Sequence, residues 1–192
     1  MKWGTQRNSL SLASLLVVTL AASAGCRTTE KDVERWANTE QGPRKLVAVL
    51  KHEKYGPELR VDAAMTLVSM KPRGGRRVGI ERLVETLTSM TPAERKNIVS
   101  ELVPGLIERL QAAPPERKTE ESLDPTIPYK DASFELLTGE GAVLIEDPEL
   151  RRALRSALIA WALADFSGRM DAPSQMVGME QLMRELGAEG VR

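Results

Sequence analysis

The strongest constraint on this chain's fold is a repeated pattern of short segments, each with apolar residues every three or four positions and each closed by Gly or Pro. After Pro57 the apolar set is Leu59, Ala63, Ala64, Leu67, Val68 and Met70; after Gly74-Gly75 it is Ile80, Leu83, Val84, Leu87 and Met90. That spacing puts the apolar side chains on one face of an α-helix, whereas a half-buried strand alternates every second residue. No set of partner strands is evident, so an all-α fold is expected. At 192 residues, one domain with a real core is expected.

The helix boundaries are written in local signals. A first helix is expected over Lys31 to Asn38 and a second from about Pro43 to Lys51. The third opens at Pro57 and ends in the basic turn Lys71-Pro72-Arg73-Gly74-Gly75-Arg76-Arg77. Thr91, Pro92 and Glu94 make the best-marked start: a capping hydroxyl, a proline suited to the first helical position, and a glutamate three residues after the cap. The helix that follows contains Pro104, which predicts a kink or restart near Val103. Residues 113–128, charged and rich in proline, predict a long loop between two helical groups. Beyond it come a helix over Tyr129 to Leu137, a break at Thr138 to Gly141, and over Ala142 to Ile145 a short strand or a helical turn, of which the turn is favoured because no partner strand is evident. Asp147-Pro148-Glu149 opens another helix, whose stretch Ala157 to Ala164 is apolar all round and predicts the most buried helix of the fold. A final helix carries Met176, Met179, Leu182, Met183 and Leu186, with Gly187 just past its end.

The N-terminus has a different character. Lys2 and Arg7 precede a run from Leu10 to Gly25 with no charge, then Ala21, Ala22, Ser23, Ala24 and Gly25 lead to Cys26. A basic start, a short apolar stretch and a small-residue exit are the layout of a secretory signal. The run is 16 residues, short of the roughly 20 that a helix needs to cross about 30 Å of hydrocarbon. Cys26 is the only cysteine, so no disulfide can form within the chain. Ser23-Ala24-Gly25-Cys26 resembles the bacterial lipobox, which implies an acylated Cys26 as the mature N-terminus; Ser23 departs from the usual leucine. Arg27, where some inner-membrane lipoproteins carry aspartate, points to the outer membrane. Removing Lys2 and Arg7 with the signal leaves 25 basic against 27 acidic residues, which gives no electrostatic reason to bind nucleic acid.

Two openings match one another: Pro57-Glu58-Leu59-Arg60 and Pro148-Glu149-Leu150-Arg151, each leading into an alanine- and leucine-rich helix. This resembles the second helix of a HEAT-type repeat, and implies an α-solenoid of HEAT/armadillo-like type, with an irregular helical bundle as the competing architecture. The stretches Lys51 to Gly56, Met70 to Arg77 and Trp161 to Phe166 also resemble HEAT-like repeat lipoproteins of myxobacterial type. That group has no settled activity, so the resemblance implies a fold and a location but no reaction. The expected organisation is a signal over 1–26, a tether and first helix over 27–41, HEAT-like helices over 42–112, the loop 113–128, and a second helical group over 129–192. The final Glu189-Gly190-Val191-Arg192 reads as the entry to a further repeat, as if the chain continued.

Reactive chemistry is sparse. His52, the single histidine, lies in a polar connector, and Cys26 is committed to the tether, so neither a zinc set nor a His-based triad is expected. No cofactor is expected, and Glu140, Glu146, Asp147 and Glu149 do not have calcium-loop spacing. Lys71, Arg73, Arg76 and Arg77 form the strongest basic cluster, a candidate patch for anionic lipid or an acidic partner. The expected function is a lipid-anchored, non-enzymatic module that binds or scaffolds another envelope protein. The alternatives are a chaperone-like or structural accessory factor and an enzyme with an unrecognised carboxylate site.

Overall fold

The computed structural model describes residues 28–112, 124–164 and 177–187, which contain eight α-helices, one 3₁₀ turn and no strand. In chain order these are α1 Glu30–Trp36, α2 Gly42–Lys51, α3 Pro57–Ser69, α4 Val78–Ser89, α5 Pro92–Gln111, α6 Ile127–Leu137, the 3₁₀ turn Gly139–Val143, α7 Pro148–Ala164 and α8 Met179–Leu186.

Helices two apart in sequence stack on one another. In one row α2 packs on α4 and α4 on α6; in the other α3 packs on α5 and α5 on α7. The rows meet through α2 with α3, α3 with α4, and α6 with α5 and α7. Apolar faces from both rows form a single core, in which Leu50, Leu67, Leu87, Leu102, Leu136 and Leu154 are fully buried. Ala63 and Ala64 on α3 are also fully buried; with only a methyl group each, they let neighbouring helices approach closely.

All three helices of the second row begin alike, with a proline in the first turn and an arginine three residues later: Pro57 and Arg60, Pro92 and Arg95, Pro148 and Arg151. Proline suits that turn because its missing N–H has no partner there anyway. Arg60 is buried and its Nε donates to the Leu50 carbonyl (2.8 Å), one of the carbonyls left unpaired at the end of α2. Arg95 turns the other way and pairs with Glu146 (2.6 Å) ahead of α7. The two glutamate-leucine openings are obvious in sequence; the Pro92–Arg95 member, with Ala93-Glu94 between, becomes recognisable only from the stacking.

The connections explain the close packing. At Thr91 the expected capping box forms, with Thr91 N donating to Glu94 (3.1 Å) and Glu94 N donating to the Thr91 hydroxyl (3.4 Å). Gly74 and Gly75 both have positive φ (56° and 75°), which glycine adopts without strain, and the turn closes by paired backbone bonds between Arg73 and Arg76. At Gly79 a Cβ would lie 2.0 Å from the Leu67 carbonyl oxygen, so only glycine lets α4 pack against the end of α3.

Three expectations change and one is narrowed. Helix α5 runs unbroken through Pro104, so of the expected kink or restart the restart does not occur. The carbonyl that Pro104 leaves without a helical partner is that of Ser100, on the exposed side, where water can satisfy it, while Leu102, Val103 and Leu106 hold the helix from within. Helix α6 begins at Ile127, inside the expected loop, because Asp124 accepts from both the Thr126 amide (2.9 Å) and hydroxyl (2.5 Å) and Pro128 falls in the first turn. The turn near Ala142 is 3₁₀ and already starts at Gly139. Finally, α6 and not α7 is the most enclosed helix: eight of its eleven residues are buried, whereas Leu163 on α7 is 58% exposed. Apolarity all round cannot bury a helix on a side where no described element covers it.

Candidate functional site

The basic turn does not present four equivalent cations. Arg73 reaches back to the turn between α1 and α2, donating to the Thr39 (2.6 Å) and Glu40 (3.1 Å) carbonyls. Arg76 forms a two-point pair with Glu81 on α4 (2.5 and 3.1 Å). Arg77 turns inward and is buried against Asp131. Lys71 is exposed. Cys26 lies outside the described residues, as do Met176 and most of the expected loop. Among the described residues no helix is long and apolar enough to cross a membrane. His52 is exposed at the end of α2.

Arg77 leads instead to a feature that the sequence does not advertise. Its Nε lies 2.5 Å from Asp131 Oδ2, and Lys130 Nζ lies 2.6 Å from Asp131 Oδ1. The Lys130 ammonium also donates to the Val177 carbonyl (2.6 Å). All three side chains are buried, Lys130 completely. Burial pushes the Lys130 ammonium below the ordinary lysine range, with a smaller push from Arg77 and an opposing pull from Asp131. The trio joins the start of α4, the middle of α6 and the approach to α8.

Above the trio opens a cleft of about 470 Å³ between α4, α6 and the 3₁₀ turn. Ile80, Val84 and Val177 supply its apolar lining. Its charged lining is Arg77 against five carboxylates: Glu81 and Glu85 from α4, Asp131 and Glu135 from α6, and Glu140 from the turn. Residues one turn apart supply each helix's acids, as 3.6-residue periodicity requires. Burial first, then the charges of Asp131 and Glu81, hold the Glu135 carboxyl above its ordinary range. Among the described residues no group of three His, Cys, Asp or Glu side chains converges closely enough to hold a metal ion. The volume falls in the range of small-ligand sites, roughly 300–1,000 Å³, which combine apolar walls with a few polar groups.

These residues escaped sequence reasoning because Glu81, Glu85, Glu135 and Glu140 resemble any solvated helical acids. The usable signal was the adjacent pair Lys130-Asp131, placed among apolar neighbours in a helix where a charge has to find a buried partner. No protein-family model matches the chain, and comparison with curated proteins and with solved structures likewise yields no match.

Proposed function

We propose that this chain is an exported helical-repeat module, tethered to the bacterial envelope by a lipid on Cys26, that binds another envelope protein through the cleft between α4 and α6. The observation that carries the binding reading is the combination of two-row stacking with an open, mixed apolar and acidic cleft on the row formed by α2, α4 and α6. Stacked helix pairs of HEAT type bury a continuous core and leave extended surfaces for recognition. The recurrent Pro-x-x-Arg opening of α3, α5 and α7 supports that architecture. The basic start, short apolar run and Cys26 support the tether. Lys71, exposed and without an ion pair among the described residues, and Arg76, exposed but paired with Glu81, are the members of the basic turn available to anionic headgroups.

The test is expression of the full chain in a bacterium with an alkyne-bearing fatty acid and a photo-crosslinking residue at Thr88, an exposed position lining the cleft. Wild type should take up the label and sediment with membranes, Cys26→Ser should do neither, and Thr88 should form an adduct with an envelope protein. Failure to label, together with no adduct at Thr88, overturns the reading.

One observation favours a second reading, an enzyme using paired carboxylates: Glu135, held in its protonated form to higher pH than usual, sits in a cleft with Glu81 and Glu85. Glycan hydrolysis abolished by Glu135→Gln would support it; no turnover on envelope glycans removes it.

A further inference from the structure

The cleft's lining is unbalanced in a chain whose formal charge is zero. Its one arginine is already matched by Asp131, which leaves Glu81, Glu85, Glu135 and Glu140 around the apolar lining. Glu135 and Glu140 have no ion-pair partner among the described residues. Glu81 and Glu85 hold only exposed pairs, with Arg76 (2.5 Å) and Arg82 (2.8 Å). Such pairs contribute about 0–1 kcal/mol and are readily exchanged for a better partner. Deeper down, Asp131 is almost fully buried and is taken up by Arg77 and Lys130, so the four glutamates carry the cleft's unmatched charge.

From this arrangement we infer that the α4–α6 cleft docks a basic segment of a partner protein, with lysine or arginine stems over Ile80, Val84 and Val177 and their charged ends among Glu81, Glu85, Glu135 and Glu140. The inference rests on the binding-module reading and specifies the partner's chemistry. Lysine and arginine are suited to this lining because their methylene stems cover apolar surface while the head keeps polar company. The acids come from two helices and a turn, and no three converge on a point, so the negative charge is spread over a length. A segment carrying several cations matches that spread better than one compact ion. Burial is the main cause that raises Glu135; the smaller contribution, repulsion from Asp131 and Glu81, is relieved by an incoming cation.

The test uses the full mature chain and a fluorescein-labelled peptide of alternating Lys and Ala, followed by fluorescence anisotropy. The peptide should bind, its Glu-for-Lys counterpart should not, and added salt should weaken binding. Glu135→Gln/Glu140→Gln should weaken it about tenfold, equivalent to about 1.4 kcal/mol. Glu101→Gln/Glu108→Gln, on the exposed side of α5, should leave it unchanged. Circular dichroism melts establish that each variant is folded. Equal loss in both double variants means unspecific attraction and overturns the inference, as does spermidine binding as tightly as the peptide, which marks a polyamine site. In cells, the Thr88 adduct should map to a Lys- or Arg-bearing segment of the partner. An adduct on a segment without basic residues, or within the chain itself, overturns the inference; an adduct on a non-basic segment of another envelope protein leaves the binding-module reading standing.

Discussion

Arg77 and Asp131, 54 positions apart in sequence, meet with both side chains buried, Nε to Oδ2 at 2.5 Å, and thereby fix the start of α4 against the middle of α6. Asp131 also faces Lys130, so one carboxylate balances two buried cations. Removing one member of a buried ion pair leaves an uncompensated charge, which costs about 3–5 kcal/mol. Asp131→Ala should lose at least that much in urea unfolding, and more than Arg77→Met, which leaves the Lys130–Asp131 pair intact. Equal losses in the two variants would show that Lys130 does not depend on Asp131.

Helix α2 ends on a carbonyl held by a distant side chain. Arg60→Ala removes the bond to the Leu50 carbonyl and should destabilise by about 1–3 kcal/mol, the cost of a buried acceptor left without a partner. Denaturant midpoints for Arg60→Ala and the exposed control Arg82→Ala separate this cap from a general loss of charge.

Two glycines should respond in opposite ways to alanine. At Gly79 a new Cβ lies 2.0 Å from the Leu67 carbonyl oxygen, so α4 and α3 must separate, at a cost of about 1–3 kcal/mol or more. Gly56 has nothing within 4 Å of a Cβ, and its φ of −59° suits alanine. Gly56→Ala should be neutral or stabilise by up to about 1 kcal/mol, through the unfolded chain. Thermal melts of the two variants check both signs.

Pro104 sits in the exposed side of an unbroken helix and removes one helical hydrogen bond. Pro104→Ala restores that bond and should raise stability, with an upper limit of about 3 kcal/mol from intrinsic propensity. A fall in melting temperature would mean that the proline's ring packs in a way the helix depends on.

Glu135 gives a pH dependence of known sign. Its folded carboxyl is raised above the ordinary glutamate value of 4.5 by burial, Asp131 and Glu81, so the folded chain holds this proton more tightly than the unfolded chain. Its contribution to stability is therefore fully present below that value and is lost as pH rises through the raised folded value. Glu135→Gln removes the penalty. The variant should melt above wild type at neutral pH, and the difference should vanish in acid.

The all-α class, the helix starts at Pro57, Thr91 and Asp147, and the inward apolar faces were legible in the sequence, because they follow from period, proline and caps within a few residues. The recurrent proline–arginine helix opening was half legible: the glutamate-leucine pairs stand out, but Pro92–Arg95 joins them only when α5 is seen stacked between α3 and α7. Fates within the basic turn were not legible. Lys71, Arg73, Arg76 and Arg77 look alike in sequence, yet one is exposed, one binds backbone carbonyls, one pairs with Glu81 and one is buried. The cleft was hidden for the same reason, since its acids come from residues 81 to 140 and no local pattern links them.

The sequence by itself determined where helices begin, which faces are apolar, and that Cys26, following an uncharged run, is the one thiol. Tertiary structure alone decided which charges face one another, because that depends on helices brought together across long stretches of chain. Electrostatic energy falls with distance and rises with burial, and neither quantity exists until the two rows have packed.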